Sequence, residues 1–266
     1  MKNKTLKSII ASLLSVAMLM SFVACGGSGS GEDKKNNSAG ASASDGADAN
    51  GSTNSDGEKN IEKGQVGSYI TFGTYEQDGD TSNGAEDIEW LVLDVEDGKT
   101  LVISKYELDC KPYNEVDEGV TWETCTLRTW LNNYFYDTAF SDSDKNKVCL
   151  TNVVAEKNPN YDTEAGNNTQ DKVFVLSISE AEKYFSSDDE RKCKPTQYAI
   201  NNGAWFNKDP SDSDYGNCWW WLRSPGYDLS ITSGVGGDGD IEDYYNRNDV
   251  EYNCNAVRPA MWITVG

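Results

Sequence analysis

The apolar patterns that a folded core requires are confined to residues 65–266 of this 266-residue chain. Residues 25–64 consist mainly of Gly, Ser, Ala, Asp, Asn and Lys, and nearly all of their apolar residues are alanine. Such a segment buries too little apolar surface to fold. Residues 65–266 have the length of one domain. The sequence therefore predicts a flexible linker over 25–64 and a single domain over 65–266.

Residues 1–24 have the pattern of a signal peptide. Three lysines within the first seven residues precede an apolar run over 9–24, which is shorter than the ~20 residues of a membrane span. The run leads into Phe22-Val23-Ala24-Cys25-Gly26, which resembles a bacterial lipobox with Phe at the position where Leu is usual. The resemblance implies that Cys25 is lipidated and anchors the mature chain at the cell surface or in the periplasm. An ordinary secretory signal and an uncleaved anchor are the alternatives.

The chain is strongly acidic, with a net charge of −21. Removing the three lysines of the signal leaves 20 Lys and Arg against 44 Asp and Glu, a charge of −24. Such a surface repels nucleic acids and anionic lipid headgroups, so we expect no nucleic-acid partner. It suits cationic partners or divalent ions. No cofactor is predicted, although the carboxylates of Asp238, Asp240, Glu242 and Asp243 are candidate calcium ligands.

The cysteine and histidine content argues against an enzyme. The chain has no histidine, which excludes Ser-His-Asp and Cys-His machinery. Six cysteines follow Cys25, without any CxxC pair, so structural zinc is not expected. An even number of cysteines outside the cytoplasm permits disulfides, whose connectivity the sequence does not give. The six are Cys110, Cys125, Cys149, Cys193, Cys218 and Cys254.

The order of predicted elements is that of an α+β domain. Strand-forming runs occur at 69–72, 88–93 and 100–104, and Asp97-Gly98 between the last two predicts a tight hairpin. A short strand is expected at 173–176, and the segment 158–171 before it is predicted to be a polar loop. Further apolar segments occur at 219–222 and 257–263, and small and polar residues dominate between them.

Two helices are expected. The first lies within 121–140, where residues 127, 130, 131, 134 and 135 form one apolar face and Thr124 or Thr126 is the expected cap. The second begins at the capping box Ser177–Glu180 and runs to about Phe185.

Two aromatic, Arg-containing segments near the C-terminus enclose a soft polar stretch. CWWWLRSPG at 218–226 and AVRPAMWI at 256–263 frame residues 227–255. In that stretch Tyr, Asp, Asn, Ser and Gly account for 19 of 29 residues, the mixture that antibody paratopes use. The stretch is therefore a predicted binding surface, and a functionless set of turns is the alternative.

Six segments together resemble a known domain. They are WLVLDV, LVISKYELDCKPYN, TLRTWLNNYF, VFVLSISEAEKYF and the two framing segments. They resemble a domain of unknown function of bacterial surface lipoproteins. That domain is similar to the C-type-lectin-like fold of the formylglycine-generating-enzyme and sulfatase-modifying group. The same fold carries the variable proteins of diversity-generating retroelements, in which a fixed frame holds a surface that is rewritten through errors at template adenines.

The resemblance implies a surface-tethered protein that binds a protein or a glycan through the framed stretch. The frame residues would be Trp220, Arg223 and Arg258, with the two arginines tied to buried carboxylates or carbonyls and Trp219 to Trp221 alternating between core and surface. The expected binding residues are Tyr227, Asp228, Ser230, Thr232, Tyr244, Tyr245, Asn246, Arg247, Asn248, Asp249, Tyr252 and Asn253.

Two other functions remain open. One is a structural envelope protein without a specific ligand. The other is an oxidase like the formylglycine-generating enzyme, in which Cys218 and Cys254 would hold copper. A disulfide between those two cysteines is the simpler expectation.

Overall fold

A computed structural model describes residues 64–244 and 248–265. The predicted signal peptide, Cys25 and almost all of the predicted linker lie outside the described residues. So do Tyr245, Asn246 and Arg247. The described residues all fall within one compact unit, Thr53–Gly266.

The described residues form eleven strands and a smaller number of short helical segments. The strands are β1 (Tyr69–Tyr75), β2 (Glu86–Glu96), β3 (Lys99–Ser104), β4 (Asp109–Cys110), β5 (Thr151–Val153), β6 (Thr169–Asp171), β7 (Trp220–Pro225), β8 (Thr232–Val235), β9 (Ile241–Glu242), β10 (Ala256–Val257) and β11 (Ala260–Thr264). The helical segments are α1 (Thr126–Trp130), a π-helical turn (Leu131–Phe135), α2 (Tyr136–Ala139), α3 (Asp142–Lys145), α4 (Ile178–Tyr184), α5 (Asp188–Arg191) and α6 (Gln197–Asn201).

Strand pairing confirms the α+β class with mostly antiparallel strands. The first sheet has the order β1-β2-β3-β11 and is antiparallel throughout. The second has the order β4-β10-β7-β8-β9, in which β10 and β7 pair in parallel. A small third sheet joins β5 to β6. Because β10 and β11 are consecutive, the segment 256–264 connects the two larger sheets.

The predicted hairpin at Asp97-Gly98 is confirmed. Glu96 pairs with Lys99 across the turn, and the two central residues have φ angles of 49° and 75°. Positive φ at both positions is the type I′ geometry that suits the right-handed twist of a two-residue hairpin.

The strand predicted at 173–176 does not form, although its residues are buried. Phe174 alone makes a bridge, to Ala260 of β11. Side chains occupy the neighbouring backbone groups: Asn132 accepts hydrogen bonds from the N–H groups of Lys172 and Val173, and Arg223 donates to the carbonyl of Val175. These contacts replace a strand ladder, which apolar content alone does not reveal.

The first predicted helix is present but interrupted. The π-helical turn at Leu131–Phe135 adds a residue to one turn and rotates the apolar face. Leu131 and Phe135 remain buried, whereas Tyr134 is 57% exposed, contrary to the predicted stripe. The N-cap of α1 is Cys125, whose sulfur accepts a hydrogen bond from the N–H of Arg128. Neither Thr124 nor Thr126, the residues expected in this role, is the N-cap. The predicted capping box at Ser177 and Glu180 is present.

Trp220 and Trp221 are both fully buried, so the expected alternation between core and surface is wrong. Both faces of β7 are covered, and each indole N–H meets a backbone carbonyl. Trp220 donates to Arg191 at 3.2 Å and Trp221 to Lys111 at 2.8 Å. The sequence of a strand that is buried on both faces is a continuous apolar run and does not alternate between apolar and polar residues.

Candidate ligand-binding surface

Arg223 anchors the first end of the framed stretch. This buried side chain forms a two-pronged ion pair with Glu180 of α4 and donates to the carbonyl of Val175 at 2.9 Å. The paired geometry fits the fork of a guanidinium to a carboxylate. It fixes β7, which leads into the framed stretch, to the start of α4.

Arg258 anchors the other end through backbone carbonyls. It donates to Ser104 at 3.0 Å and to Arg191 at 3.3 Å, and its guanidinium lies over the rings of Trp220 and Phe185. The side chain is buried, so the two ring faces replace part of the hydration that the cation has lost.

Glu107 is the acidic group facing Arg258 in this region. It is fully buried, and neither carboxyl oxygen has a hydrogen-bond partner, although the Cys218 thiol lies beside it. Burial raises the pKa of Glu107 to about 8, against the lowering effect of Arg258. The side chain is therefore largely a neutral acid at pH 7.

Three tyrosines form one cluster at the surface, and two of them come from the framed stretch. Tyr227 meets Tyr161 and Tyr244 edge to face, with ring centroids 5.4 and 5.3 Å apart. Tyr161 and Tyr244 are nearly parallel, at 6.3 Å and 25°. Tyr227 and Tyr244 are 48% and 45% exposed, so the cluster presents aromatic surface to solvent.

A carboxylate is fixed beside the tyrosines. One oxygen of Asp243 accepts from the side-chain amides of Asn158 at 3.1 Å and Asn160 at 2.8 Å. Desolvation and the nearby Asp243 raise the pKa of Tyr161, so this phenol stays neutral at physiological pH. We call Tyr161, Tyr227, Tyr244, Asp228 and Asp243 the aromatic–acidic surface.

The backbone holds Tyr227 in place from both sides. Its N–H donates to the carbonyl of Asp243 at 2.8 Å, and its carbonyl accepts from the hydroxyl of Thr163 at 2.9 Å. The next residue, Asp228, accepts from both the N–H and the hydroxyl of Ser230, which closes a tight turn. The exposed rings thus stand on a hydrogen-bonded loop and not on a free one.

The predicted binding residues divide into three groups. Tyr227, Asp228, Tyr244, Asp249 and Asn253 are exposed, and Ser230 and Tyr252 are partly exposed. Tyr245, Asn246 and Arg247 lie outside the described residues. Thr232 and Asn248 are buried.

Thr232 and Asn248 therefore do not belong to an exposed surface. The hydroxyl of Thr232 donates to a backbone carbonyl of β7, that of Ser224, at 3.0 Å. Its N–H donates to the carbonyl of Asn248 at 2.9 Å. The side chain of Thr232 thus serves the backbone at the base of the loop, as polar residues in turns often do. Asn248 contributes its backbone carbonyl there, whereas its side-chain amide is buried without a hydrogen-bond partner.

Sequence reasoning missed the contribution of the loop before β6. Tyr161, Asn158 and Asn160 lie about seventy residues upstream of the framed stretch, in a segment that the sequence marks only as polar loop. The available signal was a tyrosine among Asn, Pro and Asp residues. The contact of Tyr161 with Tyr227 depends on the tertiary structure, and no local sequence pattern indicates it.

The described cysteines are free thiols, and the expected bridge between Cys218 and Cys254 is not formed. Cys218 instead lies with Cys110 in a small buried cluster. Burial raises the pKa of Cys110 and Cys193 to about 12 and that of Cys218 well above its ordinary value. Thiols in such surroundings are poor nucleophiles at neutral pH.

The four carboxylates predicted as calcium ligands do not assemble into one site. Asp243 holds the two asparagine amides, and Asp238 accepts from the N–H of Asp240. In residues 64–244 and 248–265, the group of three acidic side chains close enough to share an ion is Glu76, Asp78 and Glu86. These lie around the loop between β1 and β2, on other elements than the candidate surface.

The fold and the surface together define an α+β domain that presents an ordered loop cluster between two rigid framing segments. A family model described as a domain of unknown function, DUF6273, matches residues 97–265. The match spans more than half of the chain, and the protein belongs to this family. No curated protein and no solved structure matches the chain.

The matched residues begin at the turn of the β2–β3 hairpin, so β1 and all of β2 precede them. Both strands nevertheless complete the first sheet. Within the part of the chain that the structure describes, no helix is both long and apolar enough to cross a membrane.

Proposed function

We propose that this protein is a surface-tethered binding protein whose C-terminal domain recognises a macromolecule through the aromatic–acidic surface. The observation that carries the proposal is the exposed tyrosine cluster on a hydrogen-bonded loop. Tyrosine offers large, rigid contact area at low entropic cost, and aromatic residues are enriched where proteins bind one another.

The exposure of Tyr227 and Tyr244 favours a macromolecular ligand over a small one. Two surface depressions, of about 300 and 370 Å³, lie elsewhere, the first beside Trp262 and the second beside Tyr184. Neither contains a residue of the aromatic–acidic surface. Tyrosine rings that are nearly half exposed suit contact with another extended surface, whereas small molecules are bound in clefts.

The tether and the lectin-like relationship are parts of the proposal that rest on the sequence. The lipobox-like segment at Cys25 and the linker that follows would present the domain outside the cytoplasmic membrane. The framing motifs support the C-type-lectin-like fold and, with the composition of 227–255, a diversified surface. A near-copy of the DNA encoding 219–259, mismatched at adenines and adjacent to a reverse transcriptase gene, is the test of diversification.

The binding test compares two pairs of exposed tyrosines. The cluster variant, Tyr161→Ser/Tyr227→Ser, removes two of the three rings of the tyrosine cluster. The control variant, Tyr134→Ser/Tyr215→Ser, removes two exposed tyrosines elsewhere. Each protein, starting at residue 26, is applied to a glycan array and a protein array, and thermal unfolding is recorded in parallel.

We expect saturable binding by the parent protein and by the control variant, and its loss in the cluster variant at an unchanged unfolding temperature. Equal binding by both variants would place recognition on another surface. The absence of any saturable ligand on both arrays would favour a structural role in the envelope.

A further inference from the structure

The environment of the aromatic–acidic surface restricts the chemistry of its ligand. Tyr161, which is partly buried, lies near the carboxylate of Asp243 that two asparagine amides hold, and Tyr227 is followed by the exposed Asp228. An aromatic ring face attracts a cation through its quadrupole, and a neighbouring carboxylate adds direct attraction. The ring faces and the carboxylates therefore both attract a positively charged group and both repel a negatively charged one.

A second acidic segment borders the same loop. Val120 donates its N–H to the carbonyl of Leu229 at 2.9 Å, so the residues before Val120 lie next to Asp228 and its turn. Residues 115–119, with the sequence EVDEG, are all exposed and contribute three carboxylates. The negative charge therefore extends well beyond the tyrosine rings.

A lysine in the same loop as Tyr161 is already engaged. Lys157 forms ion pairs with Asp162 at 2.7 Å and with Glu164 at 2.9 Å, the residues that precede and follow Thr163. Its single positive charge is shared between those two carboxylates, so it does not neutralise those of Asp228 and Asp243.

We propose that the aromatic–acidic surface binds a partner protein through several lysine or arginine side chains, one of which packs against the rings of Tyr161 and Tyr227. A spread of carboxylates around aromatic faces matches a multiply charged partner better than a single quaternary ammonium group. The same charge repels anionic membranes. This inference rests on the proposed function and specifies its ligand.

The test uses tetralysine amide as the probe. The neutral control is the same peptide with every lysine acetylated at Nε, which keeps the chain length and removes the charge. Choline is the third probe, because it carries the cation of a lipid headgroup without a peptide. Binding is followed by NMR of the ring carbons in tyrosine-labelled protein, which reports each ring separately.

We expect tetralysine to shift the Tyr161 and Tyr227 signals saturably, and more weakly as salt concentration rises. Tyr161→Ser/Tyr227→Ser should raise the dissociation constant about tenfold, because two cation–π contacts are lost. Asp243→Asn should weaken binding more than Asp142→Asn, which removes one charge from the exposed start of α3. The acetylated peptide should cause no shift.

Four outcomes would overturn the inference. Equal shifts with the acetylated peptide would show that charge is not recognised. Shifts spread evenly over all exposed tyrosines would show unspecific attraction to an acidic protein. Choline binding as tight as that of tetralysine would assign the site to a small quaternary cation. An array ligand that is uncharged yet lost in the cluster variant would refute the cationic ligand while leaving the binding function intact.

Discussion

Replacing Glu107 by Gln tests the electrostatics of the frame. Glu107 is fully buried without a hydrogen-bond partner, and its pKa is raised from 4.5 to about 8. The folded protein then holds a proton that the unfolded chain releases. The resulting stability is fully present below pH 4.5 and is lost as pH rises towards 8. Between pH 5 and pH 8 the loss amounts to about 3–4 kcal/mol in the free energy of unfolding.

Glutamine imitates the neutral acid and does not titrate. Glu107→Gln should therefore match the parent near pH 5 and exceed its stability above pH 8. Urea unfolding at several pH values measures the difference, and subtracting the two curves removes the effect of every other titrating group. Glu118→Gln, at an exposed site, is the control and should leave the pH dependence unchanged.

The opposite result would refute this reasoning. If Arg258 held Glu107 as a charged carboxylate, the variant would leave a buried guanidinium without its partner. It would then be less stable than the parent at pH 7 by roughly 3–5 kcal/mol. A pH-independent difference of that size would show that the ion pair outweighs desolvation.

Two further predictions concern the anchor of the frame and the attachment of the chain. Arg223→Lys should lower the free energy of unfolding by about 2–4 kcal/mol, because a single ammonium cannot replace the paired contact with Glu180 and the hydrogen bond to Val175. Urea titration measures this loss, and Lys157→Ala, at an exposed ion pair, is the control that should change the free energy of unfolding little. Equal effects of the two substitutions would show that the Arg223 contacts stabilise the fold no more than a surface ion pair does. Cys25→Ala should move the protein from the membrane fraction to the soluble fraction when cells are fractionated; a variant that still sediments with membranes would exclude the lipid anchor.

Local sequence signals predicted the local structures well. Asp97-Gly98 specified a hairpin because only residues that tolerate positive φ form that turn. Ser177 and Glu180 specified the start of α4 because each satisfies a free backbone N–H of the other. These outcomes depend on neighbours within a few residues, which the sequence displays directly.

Signals that required a tertiary partner were misjudged. The apolar run at 173–176 was expected to be a strand, but side chains of Asn132 and Arg223 occupy its backbone groups. Tyr134 was expected to be buried, but the π-helical turn rotates it outward. The hydrophobic content of a segment indicates whether the segment is buried, but it does not indicate which groups its backbone is hydrogen-bonded to.

The candidate surface shows the same division. The composition of 227–255 predicted a binding surface, and Tyr227 and Tyr244 are exposed in that stretch. Thr232 and Asn248 have the same polar character but are buried, and their backbones are hydrogen-bonded to each other at the base of the loop.

The sequence by itself determined the acidic character of the chain, the α+β class and the position of a Tyr-rich segment between two aromatic framing segments. Tertiary structure decided which side chains share a surface. It brought Tyr161 to Tyr227 across more than sixty residues of chain and placed Asp243 beside both, and it enclosed Glu107 beside Arg258 without a hydrogen-bond partner. The reason is physical: composition and periodicity report on neighbours along the chain, whereas ring contacts and desolvation depend on neighbours in space.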